Sequence, residues 1–170
     1  MSVIANTAAI AAATLAIAWG AGQFISTSLH TEIEIDAPAS AVWAELSNTS
    51  AFPEWNPFVR SIEGGLNVGE RLEVTIRPDG RSPMTFKPEV LVSDQDRELR
   101  WIGRLGFKGV FDGEHYFIVE EGEDGKTRFR HGEIFSGMLS YPLFVLIETD
   151  TRKGFEAMNA ALKARVEAKN

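Results

Sequence analysis

His115, His131 and Glu133 are the residues whose types and spacing could do chemistry. All three occupy inward positions of two neighbouring alternating segments, residues 112–120 and 126–136, so a hairpin turns them to one face. With the turn at residues 122–125, the pairing that sets Phe117 opposite Phe129 also sets His115 opposite His131. Glu133 then lies one step further along. A one-residue bulge at Gly132 would undo this, since glycine inside a strand often marks one. A histidine near its ordinary pKa can give or take a proton at neutral pH, and a carboxylate beside it can orient the ring. Such a pair can act on an enolisable carbonyl. The same side chains could form a two-histidine, one-carboxylate metal set. No further donor is evident, and we assign no metal. The structural alternative is that the three bond one another or nearby backbone, because a buried polar group without partners is costly.

Positioning these groups requires a wall and something to close against it. Over residues 142–168, Phe144, Ile147, Thr151, Phe155, Met158, Leu162 and Val166 recur at spacings of three and four, which predicts a long amphipathic helix. Pro142 suits its first turn, and Glu148, Asp150, Arg152, Lys153, Glu156, Lys163 and Arg165 make its wet face. Upstream, residues 31–35 read as a strand with Ile33 and Ile35 on one side. Asp36-Ala37-Pro38 then opens a short helix with Val42, Trp43 and Leu46 inward. An aromatic loop follows over residues 51–59, in which Pro53 and Pro57 bracket Trp55 and Asn56.

Six further strands are expected at residues 59–63, 71–77, 84–92, 97–105, 112–120 and 126–136, joined by short turns that favour antiparallel pairing. Alternation turns Leu72, Val74 and Ile76 inward, then Met84, Phe86, Val90 and Val92, then Leu99, Trp101 and Gly103. His115, Phe117 and Val119 follow, with Thr127, Phe129, His131, Glu133 and Phe135 facing them. Arg128 and Arg130 fall outside. The fold class is therefore α+β, with an antiparallel sheet wrapped around a C-terminal helix.

The chain has 170 residues, no cysteine and a formal charge of −7. Disulfides, thiolate nucleophiles and cysteine–zinc sites are excluded. The acidic balance argues against nucleic acid, which requires a basic face. No phosphate-cradling loop occurs: Gly103, Gly106 and Gly109 lack the strand-to-helix setting of a nucleotide fingerprint, and we assign no cofactor. Residues 1–28 form an apolar leader ahead of a domain at residues 29–170. No Asp, Glu, Lys or Arg precedes Glu32, and residues 3–25 are long enough to span a bilayer as an added N-terminal helix. Membrane association through this segment is the expected localisation. The alternatives are an exported chain, with Ala16-Ile17-Ala18 as cleavage site, or a cytoplasmic one whose leader packs on the domain.

The order of elements resembles the helix-grip fold of the START and Bet v1-like superfamily, and within it the SRPBCC group often labelled polyketide cyclase/dehydrase-like. The residues that carry the likeness are Ala37-Pro38 with Val42-Trp43 and Leu46; Phe52 through Phe58; Gly113-Glu114-His115-Tyr116-Phe117; Thr127-Arg128-Phe129 with Glu133; and Gly154-Phe155, Met158-Asn159 and Leu162-Lys163. The group holds ligand carriers, cyclases and dehydratases, so the resemblance implies a fold and leaves the activity open. A sheet curved around a helix encloses a cavity, which Trp55, Phe86, Trp101, Phe117, Phe129, Phe135 and Phe155 would line, or simply fill as core. Asn56 would stand at its mouth or satisfy a turn, and Tyr141 would stand at its rim. The expected function is binding of a small hydrophobic molecule, a lipid or aromatic polyketide. The alternatives are a cofactor-free cyclase or dehydratase using His115, His131 and Glu133, or a stress or chaperone-like interaction module. Nothing in the sequence specifies an oligomeric state.

Overall fold

The computed structural model describes residues 26–169. Strand β1, Ser26–Ile35, comes first, followed by helix α1, Ala39–Ser47, and a 3-10 turn, Thr49–Ala51, that leads into a one-turn helix α2, Phe52–Trp55. Strands β2, Val59–Glu63, β3, Glu73–Ile76, β4, Met84–Phe86, β5, Glu89–Asp94, β6, Glu98–Leu105, β7, Phe111–Glu121, and β8, Thr127–Ser136, then lead into helix α3, Ser140–Glu167. β1 takes in residues 26–30 as well as the expected 31–35, because Ser26 through His30 pair with Ser136 through Gly132.

All strand pairs are antiparallel, in a five-stranded sheet ordered β1-β8-β7-β6-β5 and a three-stranded sheet ordered β2-β3-β4. Residues 84–92 are not one strand. Pro88, which has no N–H to donate, separates β4 in the small sheet from β5 in the large one. A register shift between Val90 and Val92 then turns Val92 to the outer side beside Arg100, while Val90 stays inward beside Trp101. Backbone bonds from Gly69 N–H to Val90 C=O and from Leu72 N–H to Pro88 C=O join the two sheets at that edge.

The helix α3 packs on β1 and β8, and its stripe of Phe155, Met158, Leu162 and Val166 is buried. Gly154 lets it approach the aromatic loop, since a Cβ there would collide with the ring of Phe58. Buried Glu45 of α1 holds the far end of α3 through Arg165 at 2.5 Å and through Lys169. The antiparallel sheet with its long C-terminal helix is consistent with the expected helix-grip arrangement. Among the described residues no helix is long and apolar enough to cross a membrane; the added N-terminal helix expected over residues 3–25 lies outside them.

Candidate functional site

The hairpin of β7 and β8 sets the site, and its register differs from the expected one by two residues. His115 pairs with Glu133, Phe117 with His131 and Val119 with Phe129. The turn is the cause: Gly125 adopts φ 76° and donates to the carbonyl of Gly122, so the chain reverses around Asp124-Gly125 and Glu121 closes on Thr127. An even shift leaves every side chain on its face, so the inward set survives. The ladder runs past Gly132 without a bulge. Gly132 has another reason to lack a side chain, because a Cβ there would meet the Tyr116 hydroxyl and come within 2.7 Å of the Leu29 carbonyl.

The three polar groups form a line. Asn159 Nδ2 donates to Thr31 Oγ1 at 2.8 Å, which turns Asn159 Oδ1 toward His131 Nδ1, 2.9 Å away. His131 Nδ1 therefore carries hydrogen. His131 Nε2 is then an acceptor, and His115 Nε2 donates to it across 3.2 Å. The remaining His115 nitrogen, Nδ1, carries a lone pair and faces Glu133 Oε2 at 3.8 Å. Thr31 Oγ1 donates onward to the His131 carbonyl at 3.2 Å. From His115 through His131 and Asn159 to Thr31 every donor points the same way, toward α3 and β1, with both rings neutral; Glu133, at 3.8 Å, lies beyond hydrogen-bonding distance of His115.

Burial enforces those protonation states. His131 is fully buried and stacks on Phe155 with ring centroids 3.8 Å apart. His115 stacks on Trp101 at 4.7 Å and meets the rings of Phe117 and Phe155 edge-on. Desolvation lowers the His115 pKa to about 3. The same cause, with the neighbouring His115, holds His131 well below the usual imidazole range despite bonds to Asn159 and the Phe155 backbone. Desolvation raises Glu133 to about 8. This inverts the expectation that a histidine titrates near its ordinary value with Glu133 as its orienter. The carboxyl is the group pushed toward neutrality, and the imidazoles stay neutral beside it.

Glu133 and His115 look into a cavity of about 410 Å³ between the sheets and the first half of α3. Its walls are Phe58, Val59, Val74, Ile76, Trp101, Phe111, Phe135, Leu143, Ile147 and Phe155, with Met84, Phe86 and Leu105 toward solvent. Among the anticipated residues, Phe86, Trp101, Phe135 and Phe155 line this space. Phe117 and Phe129 are fully buried behind the wall. Trp55 packs edge-on against Phe52, with ring centroids 5.0 Å apart. Buried Asn56 accepts the N–H groups of Phe58 and Val59 at 3.0 and 2.9 Å, a turn-forming role. Tyr141 is exposed and outside the lining set. His131 stands one layer behind His115, with both ring nitrogens engaged. Among the described residues no group of three His, Cys, Asp or Glu side chains is arranged to hold a metal ion.

Three features escaped the sequence reading. Gly113, opposite Phe135, leaves room for the Glu133 carboxyl, which a Cβ would strike. Asn159 completes the polar line; its signal was a lone amide on an otherwise apolar helical stripe. Arg81, in the loop between β3 and β4, pairs with Asp150 of α3 at 2.6 Å, and both side chains line the cavity.

Residues 26–167 match the sequence profile of the family described as polyketide cyclase/dehydrase and lipid transport. The chain belongs to that family. Its fold is shared with solved members of the START and Bet v1-like superfamily. An aromatase/cyclase from Streptomyces aligns with a TM-score of 0.69 at 12% identity, over 85% of this chain and 96% of that one. Norcoclaurine synthase from Thalictrum flavum, solved with dopamine and hydroxybenzaldehyde, aligns at 0.66 and 18% identity, over 91% and 92% of the two chains. A START superfamily protein from Mycobacterium smegmatis aligns at 0.65 and 17% identity, over 84% and 99%. Comparison with curated proteins finds no match. At these identities the likeness establishes the fold.

Proposed function

We propose that this chain binds a small hydrophobic molecule, a lipid or an aromatic polyketide-like compound, in the space between α3 and the curved sheets. The observation that carries the reading is the cavity itself: about 410 Å³, walled by aromatic and aliphatic side chains, with Glu133 and His115 as its inner polar groups. Such a site takes an apolar body and orients it through few hydrogen bonds. A protonated Glu133 donates, so the reading favours a guest with a carbonyl or hydroxyl oxygen at its buried end. The test is native mass spectrometry of the chain purified from its source cell, with organic extraction of what travels with it. A stoichiometric apolar compound is expected. An empty chain that also takes up no apolar fluorescent probe would overturn the proposal.

A second reading, a cofactor-free cyclase or dehydratase, is favoured by the place of Glu133, a carboxyl facing the cavity beside His115. A carboxyl with a pKa of about 8 inside an apolar cavity is suited to general acid work at neutral pH. In this reading Glu133 gives its proton to the leaving hydroxyl, which departs as water, and the resulting carboxylate takes the α-proton and is restored as the acid. Glu133→Gln should abolish turnover of a β-hydroxy-ketone substrate while leaving its affinity within a few-fold. Parallel loss of binding with no measurable turnover in the parent would leave only the carrier.

A further inference from the structure

The cavity mouth is surrounded by apolar side chains that none of the described residues covers. Helix α3 begins with an uncharged run from Ser140 to Ile147. Leu143 and Ile147 line the cavity and Phe144 packs on Phe135, while Tyr141, Val145 and Leu146 on the other side are 63%, 61% and 69% exposed. A helix apolar on every side belongs in an apolar environment. Beside it the end of β6 presents Leu105 and the loop between β6 and β7 presents Phe107, 60% and 67% exposed. Backbone bonds from Met138 N–H to Gly109 C=O and from Leu139 N–H to Val110 C=O, 2.9 and 2.8 Å, tie that loop to the turn before α3. The two patches are therefore one surface, and Leu105 carries it to the cavity wall.

Two further observations indicate what covers this surface. The first is where the chain enters the domain. Ser26 pairs with Ser136, and Ser136 with Asp112, so β1 begins at the edge from which the β6–β7 loop and α3 arise. The segment arriving there carries no Asp, Glu, Lys or Arg back to Met1. The second is the distribution of charge. Exposed Arg104 and Lys108 stand within the apolar collar, Arg104 reaching Asp112 at 4.0 Å, whereas the opposite end of the sheet mixes exposed Glu121, Glu123 and Asp124 with Lys126 and Arg128. Apolar side chains interspersed with cations suit a phospholipid surface.

We propose that this collar is a bilayer-docking face, with the uncharged residues 3–25 entering the same membrane and the cavity opening at the lipid surface. Apolar guests then pass between bilayer and cavity without crossing water. The absence of cysteine allows single-site labelling. An environment-sensitive dye is attached through Phe107→Cys, Leu146→Cys or, at the opposite end, Glu123→Cys in the full-length chain. Each labelled chain is mixed with vesicles of phosphatidylcholine and phosphatidylglycerol. The dyes at positions 107 and 146 should brighten several-fold, shift to the blue and be quenched by spin-labelled lipid, with position 123 unchanged. Circular dichroism of each labelled chain confirms that it is folded. A chain that does not bind vesicles, or binds with positions 107 and 146 still in water, overturns the proposal. So does a dye already dry without vesicles, which would mean that residues 1–25 or a second copy covers the collar.

Discussion

Glu133 illustrates how an apolar wall changes a side chain's chemistry. The unfolded carboxyl loses its proton around pH 4.5, whereas the folded one keeps it to about 8. Folding stability through this group therefore falls as pH rises across that window. The histidines have the opposite sign: unfolded, they take a proton below about 6.5, which the folded cluster refuses, His115 until about pH 3. Stability falls as pH drops through their window, and the sum peaks near pH 6.5. From there to pH 8 the Glu133 limb amounts to about 2 kcal/mol. Glu133→Gln should remove it, so that thermal midpoints at pH 6.5 and 8.5 converge; a variant that keeps the parent's alkaline loss would assign the titration elsewhere. Asn159→Ala leaves the His131 Nδ1–H without its side-chain acceptor. We expect it to destabilise the fold by about 1 kcal/mol, the worth of one buried hydrogen bond, because the Phe155 backbone remains as an acceptor; urea unfolding measures it.

At the scale of elements, α3 is held against the sheet by close approach, and the aromatic loop supplies the contact. Alanine ordinarily stabilises a helix relative to glycine by about 0.5–1 kcal/mol. Gly154→Ala should do the reverse, because the new methyl would overlap Phe58, a buried ring whose neighbour is Phe155 at 5.7 Å. Overpacking of this kind costs about 1–3 kcal/mol, and Phe58→Leu in the same chain should restore part of it in a double-mutant cycle. At the other border of the cavity, Arg81 and Asp150 bridge the β3–β4 loop to α3. Such a half-exposed pair adds little stability. Its position predicts a kinetic role: Arg81→Ala should speed release of an apolar probe several-fold in stopped-flow dilution, with the thermal midpoint unchanged.

For the whole molecule, curvature around α3 creates the space that packing would otherwise remove. Ile147→Trp, projecting into the cavity from a half-buried position, should abolish probe uptake with little change in midpoint, which equilibrium titration and calorimetry would separate. Much of this architecture was legible beforehand: Phe155, Met158, Leu162 and Val166 declare the buried stripe of the helix, and strict alternation through residues 112–136 declares which side chains share a face. That inward set, and therefore the company of His115, His131 and Glu133, is decided by local periodicity, because side-chain direction in helix and strand is a short-range property. The pairing partner within the set was decided by the turn around Asp124-Gly125, a choice between backbone geometries that alternation does not rank. The break at Pro88, the clearance at Gly113 and the bond from Asn159 required the chain to close on itself. Protonation was the last thing to be decided: it depends on how much water remains around each group, and only the packed rings of Trp101, Phe117 and Phe155 set that amount.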